Sequence, residues 1–425
     1  MTHPTQPLNR AQKMQDANGA AGSSQRYEEF EAYRGIAALL IVVFHAYQYS
    51  RQATQQATYV YEGTVFHHLF GNLEAGVAWF FTLSGFLLFL PIARAGIGVR
   101  STQPVRAFLI KRAIRILPLY YLAIVLVWAW RYTGGREQWL DLVRHLTFTH
   151  IFDRTHIFWT IGPAWSLAVE VHFYVAIAIL GPVLGALCRR MSSERTRGLA
   201  LLGFTGGLWL LGLGYLYWAA FIARVPEANA PAYFGLQAKL DNFAVGMVLA
   251  VICAMVGGRQ VFGSAGAQVL RLAGIGCIAV LFAVRTVSSV AHELELLDVF
   301  FHSVSAIGFV LILASTVLGP RRSRWTDVLA NRRIQFLGLV SYSLYIWHEP
   351  ILIELGNRHW LLSTNPDAFP INAVILAALS VLAGAISYWL IERPVMELRH
   401  LFGRDGRLVP RYEDVQLRQT EQRGL

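Results

Sequence analysis

An all-α, polytopic membrane bundle is predicted for this 425-residue chain from its composition, the length of its apolar runs and the placement of its charge. Hydrophobic residues make up 55% of the chain and charged residues 15%, and the mean hydropathy is +0.43. Such a surface is too apolar for water, which excludes a set of soluble globular domains. The apolar residues fall in blocks of about 17 to 25, each long enough to cross a hydrocarbon core roughly 30 Å thick as a helix. A membrane β-barrel would show short alternating stretches instead, and runs such as LYYLAIVLVWAW at 119–130 contradict that pattern.

Ten spans are expected in order. The first, 34–50, contains IAALLIVVF, and the second, 76–93, contains VAWFFTLSGFLLFL. The third, 116–131, holds the aromatic run above, and 164–187, 199–223, 237–256, 268–287 and 297–318 follow as long apolar blocks. The last two are 335–355, containing SYSLYIWH, and 371–391. Arg and Lys cluster at 94–115, 189–197, 321–333 and 393–411, after the second, fourth, eighth and tenth spans, whereas 51–75, 224–236 and 288–296 are nearly free of them. Both termini are therefore expected on the cytoplasmic side of the cell membrane. The same rule accounts for the net charge of +11, so no nucleic-acid partner is expected.

Residues 1–26 are polar and lack an apolar signal core, so they are expected to form a disordered cytoplasmic tail. Residues 401–425 are expected to be a charged cytoplasmic tail, leaving 27–400 as the transmembrane domain. The connection 132–163 carries Trp139, His145, His150, His156 and Trp159 and is too apolar for a linker; it is expected to form an amphipathic or re-entrant cap. Cys188, Cys253 and Cys277 lie in apolar stretches without CxxC or Cys/His spacing, so neither a disulfide framework nor a metal site is indicated.

An ionisable residue inside a spanning helix costs roughly 2.5 kcal/mol or more unless it is paired or wet, so such residues mark candidate chemistry. His45 lies in the first span, eleven positions after Arg34, or about 16 Å along a helix. An imidazole there suits general-base work, although a lone membrane histidine can also be a packing residue. Glu170, in PAWSLAVEVHFY, is a candidate to orient or balance that imidazole, or a neutral carboxyl bonded to a neighbouring helix. Asp241 and Lys239 suggest a local ion pair, and His348 and Glu349 precede Pro350, where the helix is expected to kink or stop. Arg112 and Arg115, three apart in KRAIRILPLYY, share a helix face and suit a phosphate clamp or a positive-inside anchor.

These stretches together resemble the acyltransferase-3 family of integral membrane O-acyltransferases. The likeness rests on Arg34 with His45, on FFTLSGF around Ser84, on Arg112 with Arg115, and on WSLAVEVHFY with Trp165, Ser166 and Glu170. LDNFAVG with Gly246, SYSLYIWH with Tyr342 and Tyr345, and SYWLIERP with Glu392 complete it, from about residue 27 to 400. The resemblance implies acyl transfer, often of acetyl, from cytoplasmic acyl-CoA to a hydroxyl of an envelope polysaccharide, glycolipid or macrolide-type glycoside. It implies His45 as the catalytic histidine with Arg34 as its partnered basic residue, and Arg112 and Arg115 as the pair that engages the donor; Glu170 is expected beside His45 as a catalytic residue and Arg34 with the acyl-CoA site. Ser84, Trp165, Ser166, Tyr342, Tyr345 and His348 would line the substrate pocket. No bound cofactor is expected, acyl-CoA being a substrate, and no fused SGNH hydrolase-like domain is expected. The competing class is a transporter or flippase, since intramembrane ionisable residues also mark substrate paths.

Overall fold

The computed structural model describes residues 10–53, 61–99, 103–285, 295–361 and 368–398, with side chains from Glu29 onward outside 51–53. Helix α1 runs over Arg10–Ala53, and its membrane-length part is Glu29–Ser50. Its upstream backbone thus includes residues expected to be a tail; the expected tail at 401–425 lies outside the described residues. Short α2 (Val65–Gly71) leads into α3 (Ala75–Ile97), followed by α4 (Val105–Arg131), α5 (Arg136–Leu146), α6 (Ala164–Arg189) and α7 (Glu194–Tyr217). Then come α8 (Ala230–Phe234), α9 (Leu236–Met255), α10 (Ser264–Val284), α11 (Leu296–Val317) and α12 (Arg324–Leu329). The chain continues through α13 (Arg332–Leu339), α14 (Ser341–Asn357), α15 (Ala368–Ser387) and α16 (Arg393–Glu397).

Among the described residues nine helical segments are long and apolar enough to cross a membrane, and α13 with α14 makes a tenth if taken as one. The ninth expected span is thus corrected: it is a pair of helices bent by 68° at Val340. Pro350 does not stop α14, which continues to Asn357. Proline removes the N–H that would serve the Ile346 carbonyl, and in lipid a neighbouring donor must offset such losses. One turn earlier the His348 ring donates from Nδ1 to the Tyr345 carbonyl at 2.6 Å.

Apolar Leu210 and Leu211 on α7, Val269 and Leu272 on α10, and Val374 and Leu382 on α15 face outward, as lipid-facing helices require. Inside, small residues and buried polar pairs hold the bundle. A Cβ at Gly85 of α3 would collide with the Phe243 carbonyl of α9, and one at Gly246 of α9 with the Thr82 carbonyl of α3. The two glycines therefore let these helices touch backbone to backbone. Hydrogen bonds cross between helices from Trp79 to Ser305 (3.0 Å), Tyr33 to Thr316 (2.6 Å), Tyr342 to the Ile116 carbonyl (2.7 Å) and Trp347 to Ser387 (2.7 Å). The expected ion pair of Lys239 and Asp241 is not formed among the described residues, because side chains two apart on a helix diverge. Asp241 accepts instead from Ser303 at 2.5 Å, and Lys239 lies over the rings of Trp165 and Phe234.

The connection after α4 does form a cap. Helix α5 is amphipathic, with Trp139 and Val143 exposed and Asp141 and His145 buried. The stacked rings of His145 and His150, 4.0 Å apart, and a bond from Thr160 to Asp141 close this cap on itself. Its end is tied to α14, where the Gly162 N–H donates to Glu349 at 3.0 Å.

Candidate active site

His45 projects from α1 and meets His348 of α14, with His45 Nδ1 2.9 Å from His348 Nε2. A carbonyl only accepts, so the bond to Tyr345 requires the proton of His348 on Nδ1. With that proton on Nδ1, the Nε2 of the neutral ring is an acceptor. His45 must donate to it from Nδ1, which leaves the His45 Nε2 lone pair free. The His45 ring is thus set in one tautomer by a second histidine, itself set by a backbone carbonyl.

His45 lines a cavity of about 520 Å³ with Glu74, Glu349, His302, Trp165 and Tyr345. Its size falls within the roughly 300–1,000 Å³ usual for small-molecule sites. Arg285 balances Glu74 at 2.7 Å and also bonds Asp298 and Asn72 at 3.1 and 3.0 Å. That network lies at the end of α3 away from the arginine mouth described next.

A second cavity, about 70 Å³, is lined by Arg34, Arg112, Arg115, Ser84, Glu170 and Tyr342. Arg34 is held by Glu31 at 2.9 Å, and Arg115 lies 3.9 Å from the same carboxylate with its side chain 39% exposed. Arg112 lies over the rings of Phe108 and Tyr174. Guanidinium planes backed by rings and one shared carboxylate are fixed in direction yet keep donors for an anion.

Val77 and Tyr345 line both cavities, and the Tyr345 hydroxyl bonds Ser166 Oγ at 2.8 Å. Both hydroxyls also reach the Pro163 carbonyl, at 3.3 and 3.0 Å. This polar clasp is the partition between the two spaces. Every expected site residue therefore falls on one cavity or on the wall between them, with His348 supporting His45 from behind.

The structure does not bring Glu170 to His45. Ser84 donates to Glu170 at 2.6 Å on the arginine side, and the partner of His45 is His348. Sequence spacing could not have found this, since Glu170 and His45 lie on different helices. Glu349, singled out in the sequence only as a residue before Pro350, lines the His45 cavity, as do Glu74 and His302. An ionisable residue next to His348 within a span was the available signal for Glu349.

A family described as "Acyltransferase domain" matches residues 27–391. The chain belongs to this acyltransferase-3 family. The O-acetyltransferase OatA of Staphylococcus aureus is 26% identical over 231 residues, covering 54% of this chain and 35% of that protein. The "Putative peptidoglycan O-acetyltransferase YrhL" of Bacillus subtilis is 24% identical over 345 residues, covering 75% of this chain and 50% of its own. The "Putative membrane-bound transacylase BcsY" of Komagataeibacter xylinus is 23% identical over 393 residues, with 87% and 82% covered. This chain thus spans about a third of OatA and half of YrhL. No solved structure matches it significantly.

Proposed function

We propose that this protein is a membrane O-acyltransferase moving a short acyl group, such as acetyl, from cytoplasmic acyl-CoA to a hydroxyl of a carbohydrate-containing acceptor. The observation that carries the proposal is the free lone pair of His45 in a cavity that shares a wall with three arginines. The relatives' names make peptidoglycan one candidate acceptor. Envelope glycolipids present the same hydroxyl chemistry.

Arg112 and Arg115, with Arg34 behind them, bind the donor's phosphates through paired, charge-assisted hydrogen bonds. The arginine cavity, about 70 Å³, is well below the roughly 300 Å³ at which small-molecule sites begin, so the acyl end enters and the nucleotide stays at its mouth. The Tyr345–Ser166 clasp parts as the thioester passes toward His45. His45 Nε2 then takes the proton of the acceptor hydroxyl, whose oxygen attacks the thioester carbonyl carbon. The tetrahedral intermediate collapses with cleavage of the C–S bond, and the departing thiolate recovers the proton from His45. Ester and free thiol are the products. Glu170, bonded to Ser84, balances charge around the donor.

Mass spectrometry of envelope lipids and glycans from cells with and without the gene should reveal an acyl-sized mass difference. Identical spectra would overturn the proposal, and uptake into vesicles without donor turnover would favour a transporter. The donor side must also be cytoplasmic, as the basic clusters at 94–115 and 189–197 require. A cysteine replacing Arg195 should react only after the cytoplasmic face is opened, and one replacing Gly134 should react from outside.

A further inference from the structure

The His45 cavity and the arginine cavity differ in charge as well as in size. Among the residues lining the His45 cavity there is no Lys or Arg; besides the tyrosines Tyr49 and Tyr345, the titratable ones are His45, His302, Glu74 and Glu349. Glu74 is already matched by Arg285 at 2.7 Å. Glu349 has no ion pair within 4 Å among the described residues, although Arg131 attracts it from farther off. One of its oxygens, Oε2, accepts from the Gly162 N–H at 3.0 Å, and Oε1 has no hydrogen-bond partner among the described residues. A carboxylate oxygen is a pure acceptor, so the free position calls for a donor such as a hydroxyl and repels a carboxylate or phosphate.

Glu349 is also held in register with the base. It follows His348, which fixes His45, and its other oxygen is pinned to the cap. Trp165, Phe158 and Phe234 line the same cavity, Trp165 and Phe158 each edge-on to Phe234 at 4.7 and 5.2 Å, with the Lys239 ammonium over the rings of Trp165 and Phe234. Aromatic rings and a hydrogen-bond acceptor lining one cavity suit a molecule that offers both C–H surface and hydroxyls.

Resting on the acyl-transfer reading above, we infer that this cavity holds an uncharged, hydroxyl-rich ring of the acceptor, and that Glu349 Oε1 binds a hydroxyl neighbouring the one acylated. Glu349 is then the acceptor-binding residue that sets which hydroxyl meets His45. Loss of this contact leaves donor binding and the base intact, so the thioester is spent on water instead of on the acceptor.

The test uses native membrane vesicles with their endogenous acceptor and radiolabelled acetyl-CoA, comparing label in envelope glycans with acetate released. Glu349→Gln, which keeps shape and one acceptor oxygen, should lower the transfer-to-hydrolysis ratio about tenfold, the size of one charged hydrogen bond, with donor consumption within about twofold of normal. Gly162→Ala should shift the ratio in the same direction, because its Cβ would crowd Oε1. An unchanged ratio in Glu349→Gln, or transfer and hydrolysis falling together, would overturn the assignment. So would recovery of the acyl group on a carboxylate- or phosphate-bearing ring. Wild-type vesicles without His45-dependent acetyl-CoA consumption would overturn the acyl-transfer reading itself, a result visible before any Glu349 variant is compared.

Discussion

The two cavities that meet at Tyr345 are built on opposite principles. One is small and charge-dense, with three arginines directed by Glu31 and by aromatic faces; the other is roomy and has no cationic Lys or Arg in its lining. Each charge in the first is aimed, whereas the second offers ring nitrogens of His45 and His302 and one carboxylate oxygen of Glu349 without a hydrogen-bond partner among the described residues. In the proposed reaction, anion capture and proton transfer are separated along about 16 Å of α1, between Arg34 and His45. A water-filled site combining both would weaken each, since a guanidinium near the base would disfavour its protonated form.

The strongest way to break this division is His45→Ala. Transfer should fall by about 10²–10⁴, the usual contribution of a general base, while detergent-extracted protein keeps its normal elution volume. Near-normal turnover would move the chemistry to another group. Gly85→Ala tests the frame that both cavities share. Its new methyl meets the Phe243 carbonyl, so the yield of folded protein should drop and melting should come several degrees earlier by scanning fluorimetry.

Weaker and more selective effects are expected at the donor end. Arg112→Ala and Arg115→Ala should each raise the apparent KM for acetyl-CoA about tenfold with kcat nearly unchanged, and the loss should shrink at high salt. A fall in kcat alone would remove the arginines from donor binding.

The smallest effect concerns the cap over the larger cavity. Burial alone would raise the Asp153 carboxyl, but hydrogen bonds from the His156 side chain and from the backbone of residues 155 and 156, with Arg144 nearby, bring it down to about 2. A depressed carboxyl stabilises the cap fully above its ordinary value of 3.8, and that contribution is lost as pH falls through about 2. Asp153→Asn should therefore destabilise the protein by less than about 1 kcal/mol at neutral pH, since the group is partly exposed, seen as a slightly lower melting temperature, with the difference closing in strong acid. A difference that is the same at all pH values would assign the loss to packing.

Much of the donor end was legible in the sequence. Arg34, Arg112 and Arg115 stood at the edges of apolar runs, and the i, i+3 spacing placed two of them on one face. The acceptor end was less so. Its cap is amphipathic as expected, but Gly162 and Glu349, which join it to α14, lie 187 positions apart and carry no common motif.

What the sequence by itself determined is what can be summed along the chain: segment lengths, the alternation of basic connections, the helical class and the presence of a histidine at lipid depth. Hydrophobic length and local charge are read one residue at a time, so no fold was needed. Only the tertiary structure decided who pairs with whom. His45 met His348 across 303 positions, Glu170 went to Ser84 instead of to the base, and the ninth span bent at Val340. Those outcomes depend on how closely α1, α3, α9 and α14 approach. That approach is decided by glycines facing carbonyls and by polar side chains that find no water in the bilayer and must find each other.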